Sequence, residues 1–306
     1  MTLVSNKDNP LVSCAVISYN SAATILETLE SIKGQSYHCI ELIISDDGSK
    51  DNTIEVCSDW LNKNSNRFVR TELLTTPHNT GIPANANRAV DACQGEWLKL
   101  IAADDKMLPN CVEDCMAFVR ENPSVKWFAS MPRKYRNTFD EQNFIETNHN
   151  GIISFCKKNA EEQLKWMAWS LPINAPTLFL NTAFIKEIRF DTAYYHEDEP
   201  FYVNALEKGE KCYFLEKETV GYRIHESVCH TNDRIFNYKM SVATRQFKEE
   251  RLQKYLNKRQ VRGQQLLWRL QDFFEMHGLN KSKPLNLFLY SKIFALIFKI
   301  YKPKLK

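Results

Sequence analysis

Five short apolar runs alternate with stretches of helical periodicity over residues 12–130, and that rhythm leaves few folds open. Residues 12–17, 40–45, 68–75, 97–101 and 126–130 read as strands. Between the first two, Ile25, Leu29 and Ile32 recur at helical spacing, and Thr24 stands three residues before Glu27 in the pattern of a capping box. Asp51 heads a second helix through Ile54, Cys57 and Leu61, and residues 84–93 form a third that is rich in small side chains. Pro109 suits the first turn of a fourth, with Val112, Met116 and Val119 inward. Apolar strands separated by helices make a mostly parallel sheet covered on both faces. Right-handed crossovers then bring the carboxyl ends of the strands to one rim, where open sheets of this kind gather ligands.

Acidic residues stand at two of those ends. Residues 45–49 read Ser-Asp-Asp-Gly-Ser, and Asp104 and Asp105 follow the strand at 97–101. One such pair is most simply a turn, because Asp favours turns. Two acidic corners on one rim argue against coincidence. Carboxylates held there suit a hard cation such as Mg²⁺ or Mn²⁺, which in turn binds a diphosphate.

Beyond residue 130 the pattern loosens, and 131–159 is expected to be loops. A helix at 161–169 stops before Pro172, and an acidic corner, His-Glu-Asp-Glu-Pro at 196–200, opens a helix through Phe201 and Ala205. Strands at 211–215 and 219–223 lead to His225. After residue 235 the chain turns helical, with Leu252, Leu256, Leu266, Leu270 and Phe273 as inward candidates.

Apolar residues at 43% and charged residues at 25% support a packed core, and a net charge of +3 is too small to argue for a nucleic-acid partner. The nine cysteines contain no Cys-x-x-Cys pair, which argues against zinc; Cys111 and Cys115 share an apolar helical face. Buried, reduced thiols fit a cytoplasmic protein, and the polar residues 1–10 hold no apolar signal segment, so secretion is not expected.

Residues 12–20, 41–53, 79–109 and 197–225 together resemble the family 2 glycosyltransferases, inverting nucleotide-sugar enzymes of the GT-A fold, and above all bacterial enzymes of O-antigen and capsule polysaccharide synthesis. The resemblance implies that Tyr19 packs the nucleobase and that Asp47 accepts a hydrogen bond from it. It also implies that Asp104 binds Mn²⁺ or Mg²⁺ and that Asp198, in Glu-Asp-x-Pro-Phe, is the general base, with Glu197 its nearest rival. His225, in Tyr-Arg-Ile-His-Glu-Ser, matches a late residue that reaches the diphosphate or the metal, and Asn87 and Arg88 are candidates to line the nucleotide pocket. Two departures stand out. Ala102 replaces the first Asp of the Asp-x-Asp motif, with Ala103 beside it, and Ala86 replaces an arginine common in that helix.

Residues 285–301 are intensely apolar but carry Lys292 and Lys299, seven apart and so on one helical face, with more lysines flanking. That pattern fits a helix lying in an anionic membrane surface. The expected organisation is a GT-A-like domain over 1–232 and a helical region over 233–306, its tail at 285–306 membrane-associating. The expected activity moves a sugar from a nucleotide-diphosphate donor, such as a UDP-hexose or UDP-N-acetylhexosamine, to a hydroxyl of a growing lipid-linked glycan at the cytoplasmic face of the membrane. The alternatives are a nucleotidyltransferase, though no phosphate-gripping Gly-rich loop is present, and a weakened GT-A scaffold in a polysaccharide assembly complex, suggested by Ala102.

Overall fold

The computed structural model describes residues 9–225 and 233–302, so the expected domain boundary at 232 falls outside the described residues. Contacts divide the chain into two compact units. One is Met1–Lys157 with Ile173–Arg223; the other joins Lys158–Pro172 to Ile224–Lys306.

The first unit begins with β1 (Val12–Ser18), α1 (Ile25–Lys33), β2 (Ile40–Asp46), α2 (Thr53–Asn64), β3 (Arg70–Leu74), α3 (Ile82–Ala92) and β4 (Trp97–Ala102). β1 pairs in parallel with β2 and β4, and β2 with β3. Then come β5 (Lys106–Met107), α4 (Cys111–Glu121), β6 (Trp127–Arg136), β7 (Phe144–Ile145) and α5 (Asn150–Cys156). After α6 (Ala160–Met167), which belongs to the second unit, the first resumes with β8 (Phe179–Asn181), α7 (Thr182–Ile188), α8 (Asp198–Glu207) and β9 (Tyr213–Ile224). The strand order is β3-β2-β1-β4-β8-β6-β9-β5, with β7 on β6. β8 runs antiparallel to both β4 and β6, so a parallel half continues into an antiparallel one and the sheet is mixed.

Every residue of β2 is buried, as a strand covered on both faces demands. Its one charged residue in mid-strand company, Glu41, accepts hydrogen bonds from Ser13 Oγ, Arg70 Nη1 and the backbone N–H groups of Gln94 and Gly95, which is what lets a carboxylate stay there.

Several local expectations differ from the structure. Thr24 precedes α1 but caps nothing with its side chain. Asn52, not Asp51, is the N-cap of α2; Asp51 instead accepts from Thr53 N and Oγ1. Pro109 lies just outside α4, whose N-cap is Asn110. Finally, 131–159 is not loop. β6 runs on to Arg136, β7 pairs with it, and the two short strands expected at 211–215 and 219–223 are the single strand β9. The charges that disguised β6 are housed by rings: Arg133 lies 4.9 Å from the Phe144 ring centroid and Lys134 5.9 Å from that of Tyr222.

The second unit is helical: α6, α9 (Tyr238–Phe247), α10 (Lys258–Met276) and α11 (Pro284–Tyr301). Asn159 and Asn257 each close a capping box, on α6 and α10. Gly263 of α10 faces Tyr301 and Trp169, and a Cβ there would lie 2.2 Å from that of Tyr301, so the helices approach only because this residue is glycine. Tyr290 packs on Phe236 and Phe274, and Phe298 on Trp169. Leu252 is buried as expected, whereas Leu266 and Phe273, expected inward, are exposed. The eight described cysteines are buried, and none of them is in a disulfide.

Candidate active site

Parallel register gathers the candidate residues of the first unit. Ser18 lies across from Asp46 and Ile17 across from Ala102. One step further, Asp47 N donates to Ser18 O and Ala103 N to Ile17 O, so Tyr19, Asp47 and Asp104 emerge at one rim.

Tyr19 is 44% exposed, so its ring is not part of the core. The next residue, Asn20, has φ 50°, and its side chain accepts from Lys50 N at 2.8 Å, tying this corner to the one after β2. Asp47 is buried. Its carboxylate accepts from Thr80 N (2.9 Å), Thr80 Oγ1 (2.6 Å), Gly81 N (2.8 Å) and Arg88 Nη2 (2.8 Å). Four donors match the lone pairs a carboxylate offers, so a nucleobase N–H would have to displace one of them. The acid sits before the first turn of α3, where the helix dipole favours it. Gly48 follows at φ 73°, and a Cβ there would come within 2.8 Å of Thr76 O, so this corner requires glycine.

Arg88 also donates to Ser45 Oγ and Asn85 Oδ1, and remains partly exposed. Asn87 does something different. Its amide makes two hydrogen bonds with the backbone of Phe190, donating to O at 2.8 Å and accepting from N at 3.0 Å. It therefore fixes a wall of the site and is already engaged there.

Asp104 is half-buried, while Asp105 is buried and accepts from Arg223 N at 2.8 Å. Burial, and then the neighbouring Asp104 charge, hold the Asp105 carboxyl well above the usual range. Arg223 secures the corner from beneath: Nε donates to Asp104 O (2.7 Å), Nη1 to Asn137 O (2.5 Å) and Nη2 to Glu27, and the guanidinium lies 4.2 Å from the Phe139 ring centroid. Sequence reasoning missed this residue. Its only signal was a charge inside an otherwise apolar strand end.

Among the described residues, no group of three or more His, Cys, Asp or Glu could hold a metal ion. Asp104 supplies one hard oxygen donor. Mg²⁺-like ions bind through one or two carboxylates, retained waters and substrate phosphates, so the donor set fits a metal shared with a diphosphate. His225 directly follows β9 and belongs to the second unit; Glu226 and Ser227 of its motif lie outside the described residues.

Glu197 and Asp198 reach the same place from α8. Together with Ile17, Leu100, Ile101, Ala102, Asp105 and the 175–178 turn, they line a cavity of about 50 Å³. Burial, and then the Asp198 charge, push the Glu197 carboxyl up to about 7; burial and then Glu199 raise Asp198, against which His196 acts. Two half-buried carboxyls with raised affinity for protons suit proton abstraction near neutrality. Lys99, wholly buried on β4, donates through Nζ to Pro176 O and, at 3.1 Å, to Leu178 O, so it pins the turn that walls this cavity.

Residues 13–188 match the family model described as Glycosyl transferase family 2. The chain is a family 2 glycosyltransferase. It is 24% identical over 233 residues to the UDP-Glc:alpha-D-GlcNAc-diphosphoundecaprenol beta-1,3-glucosyltransferase WfaP of Escherichia coli, covering 72% of this chain and 80% of that one. Among solved structures it resembles S. aureus TarS 1-349 in complex with UDP-GlcNAc (TM-score 0.55, 19% identity, 80% of this chain and 71% of that one). It also resembles the mannosyltransferase PcManGT from Pyrobaculum calidifontis in complex with GDP-Man and Mn2+ (TM-score 0.56, 15% identity, 94% and 70%). The chain spans 37% of the longer TarS chain. At these identities the structures establish the fold, GT-A-like α/β, and the family match makes this chain an enzyme, a glycosyltransferase.

Proposed function

We propose that this glycosyltransferase moves a sugar from a UDP-sugar to a hydroxyl of a lipid-linked glycan, with inversion, at the cytoplasmic face of the membrane. One observation carries the reading: Asp198 and Glu197 share a cavity with the end of β4, so a base stands beside the strand end that precedes Asp104. WfaP, by its name, acts on a diphosphoundecaprenol-linked sugar, and TarS binds UDP-GlcNAc, which supports a donor and an acceptor of these classes.

In this reading the Tyr19 ring packs the nucleobase, and Asp47 holds Thr80, Gly81 and Arg88 around it, giving up one donor to the base. Asp104 would hold Mn²⁺ or Mg²⁺, which neutralises charge on the departing diphosphate. Asp198 takes the proton of the acceptor hydroxyl, whose oxygen bonds the anomeric carbon as the bond to the diphosphate breaks on the opposite face. A single displacement of that kind inverts the configuration, as it does in inverting glycosidases. The exposed apolar helix α11, with Lys292 and Lys299, would bring the enzyme to the membrane surface where the acceptor resides.

The test is release of UDP from a panel of UDP-sugars with Mn²⁺ and a diphosphoundecaprenol-linked acceptor. Acceptor-dependent release is expected, and Asp104→Asn should weaken Mn²⁺-dependent donor binding. Donor binding without any turnover would instead favour the scaffold reading, which Ala102 motivates.

A further inference from the structure

We propose that α10 and α11 together form one membrane-binding face, and that the partner of this face is an anionic lipid bilayer surface. The inference rests on the membrane-surface reading of α11 and adds a second helix to it.

The two helices are antiparallel. Phe274 near the end of α10 packs on Tyr290 near the start of α11 at 5.2 Å, while Gly263 meets Tyr301 and Arg259 donates to Ile300 O at the other end. One flank of the pair faces α6 and the segment after it: Gln264 of α10 donates to Ala168 O, Phe298 packs on Trp169, and Lys302 lies over the Trp166 ring. At roughly 100° per residue, Leu266, Leu270 and Phe273 turn to the opposite flank of α10, with Met276 beyond them, and Leu285, Leu289, Leu296 and Ile300 turn to that same flank of α11. These side chains are exposed apart from the partly covered Leu270, with Met276 at 74%, Leu285 at 67% and Leu296 at 59%. Two apolar stripes therefore lie side by side, an area single scattered apolar residues do not make.

Charge identifies what covers it. Arg262 and Arg269 edge the stripe on α10, Lys292 and Lys299 edge it on α11, and all four are exposed. No Asp or Glu occurs from residue 276 to residue 306. The acids of late α10 are engaged elsewhere, Asp272 with Arg245 and Tyr238, and Glu275 with Arg234 and Asn280. An apolar face rimmed by cations complements anionic headgroups above acyl chains. A second copy of the chain would oppose the same cations to one another, which disfavours self-association. Among the described residues, α11 is the one helix long and apolar enough to cross a bilayer. Its packed edge of Tyr290, Phe298 and Tyr301, however, requires its partners, so the pair lies in the interface plane.

The test is co-sedimentation of the full chain with vesicles containing about 30% phosphatidylglycerol, where each basic residue contributes appreciably, beside pure phosphatidylcholine vesicles. Three paired variants are compared: Arg262→Gln with Arg269→Gln, Phe273→Gln with Met276→Gln, and Lys292→Gln with Lys299→Gln. Each pair should weaken partitioning to the anionic vesicles about tenfold or more, while a nucleotide-sugar still raises the melting temperature, as it must if the fold is intact. If only the lysine pair matters, α11 acts alone, and the two-helix inference fails while the membrane reading stands. If the unaltered chain ignores both vesicle types, both fail. A dimer in solution that either α10 pair makes monomeric would assign the face to a second copy and overturn the inference.

Discussion

Asp198 and Glu197 are adjacent in sequence and share one cavity, yet their chemistry can be told apart. With Asp198 as base, Asp198→Asn should lower single-turnover transfer about 10²- to 10⁴-fold and keep UDP-sugar affinity. Glu197→Gln should be milder. The pH profile separates them further. A base works only when ionised, so turnover must fall as pH drops through its raised value. With Asp198 the acid limb lies above the ordinary Asp value of about 3.9; with Glu197 it lies near 7 and disappears in Glu197→Gln. The same shift has a stability sign. The folded state holds the Glu197 proton more tightly than the unfolded chain does, so stability is lost as pH rises from the unfolded value through about 7. Thermal unfolding of Glu197→Gln should therefore depend less on pH across that window.

At the scale of elements, the site is made by what holds its corners. Asp47 binds the start of α3, Arg223 binds the Asp104 corner, and Lys99 binds the 175–178 turn. Each is a charged group drawn into the interior to satisfy backbone atoms that the rim leaves without sheet partners. Lys99→Met removes a buried charge but leaves two buried carbonyls unpaired, and the expected net loss is about 1–3 kcal/mol by denaturant unfolding. Its functional mark should be a raised KM for the acceptor with donor affinity retained, because the turn walls the cavity beside Asp198. An equal loss of donor binding would mean that Lys99 supports the whole rim. None of these tethers was legible beforehand. Residues 97–101 read as an apolar strand with no role for Lys99, and Asn87 read as a pocket residue, because a side chain's partner a hundred positions away leaves no local pattern.

For the whole molecule, the two compact units make a nucleotide-sugar a selective probe. A donor present at a hundredfold its Kd stabilises whatever binds it by about 2.7 kcal/mol. Calorimetry should therefore show the UDP-sugar shifting a transition of the first unit, and Asp47→Asn should reduce that shift. The parallel half of the sheet was readable from sequence alone, since β1, β2 and β4 are largely apolar and periodic helices separate them. So were the acidic ends of β2 and β4 and the apolar, lysine-marked helix α11. These features are local, and burial or periodicity writes them directly into neighbouring residues. The antiparallel half was not, because β6 carries cations whose partners, the rings of Phe144 and Tyr222 and the carboxylates of Glu141 and Glu218, are supplied by other segments. Likewise 158–172 groups with helices a hundred residues later, and Leu266 and Phe273 proved outward rather than inward. An apolar residue at helical spacing specifies that a face will be covered. Which face the rest of the chain covers, and which it leaves for another surface, is decided only when every helix has found its neighbours.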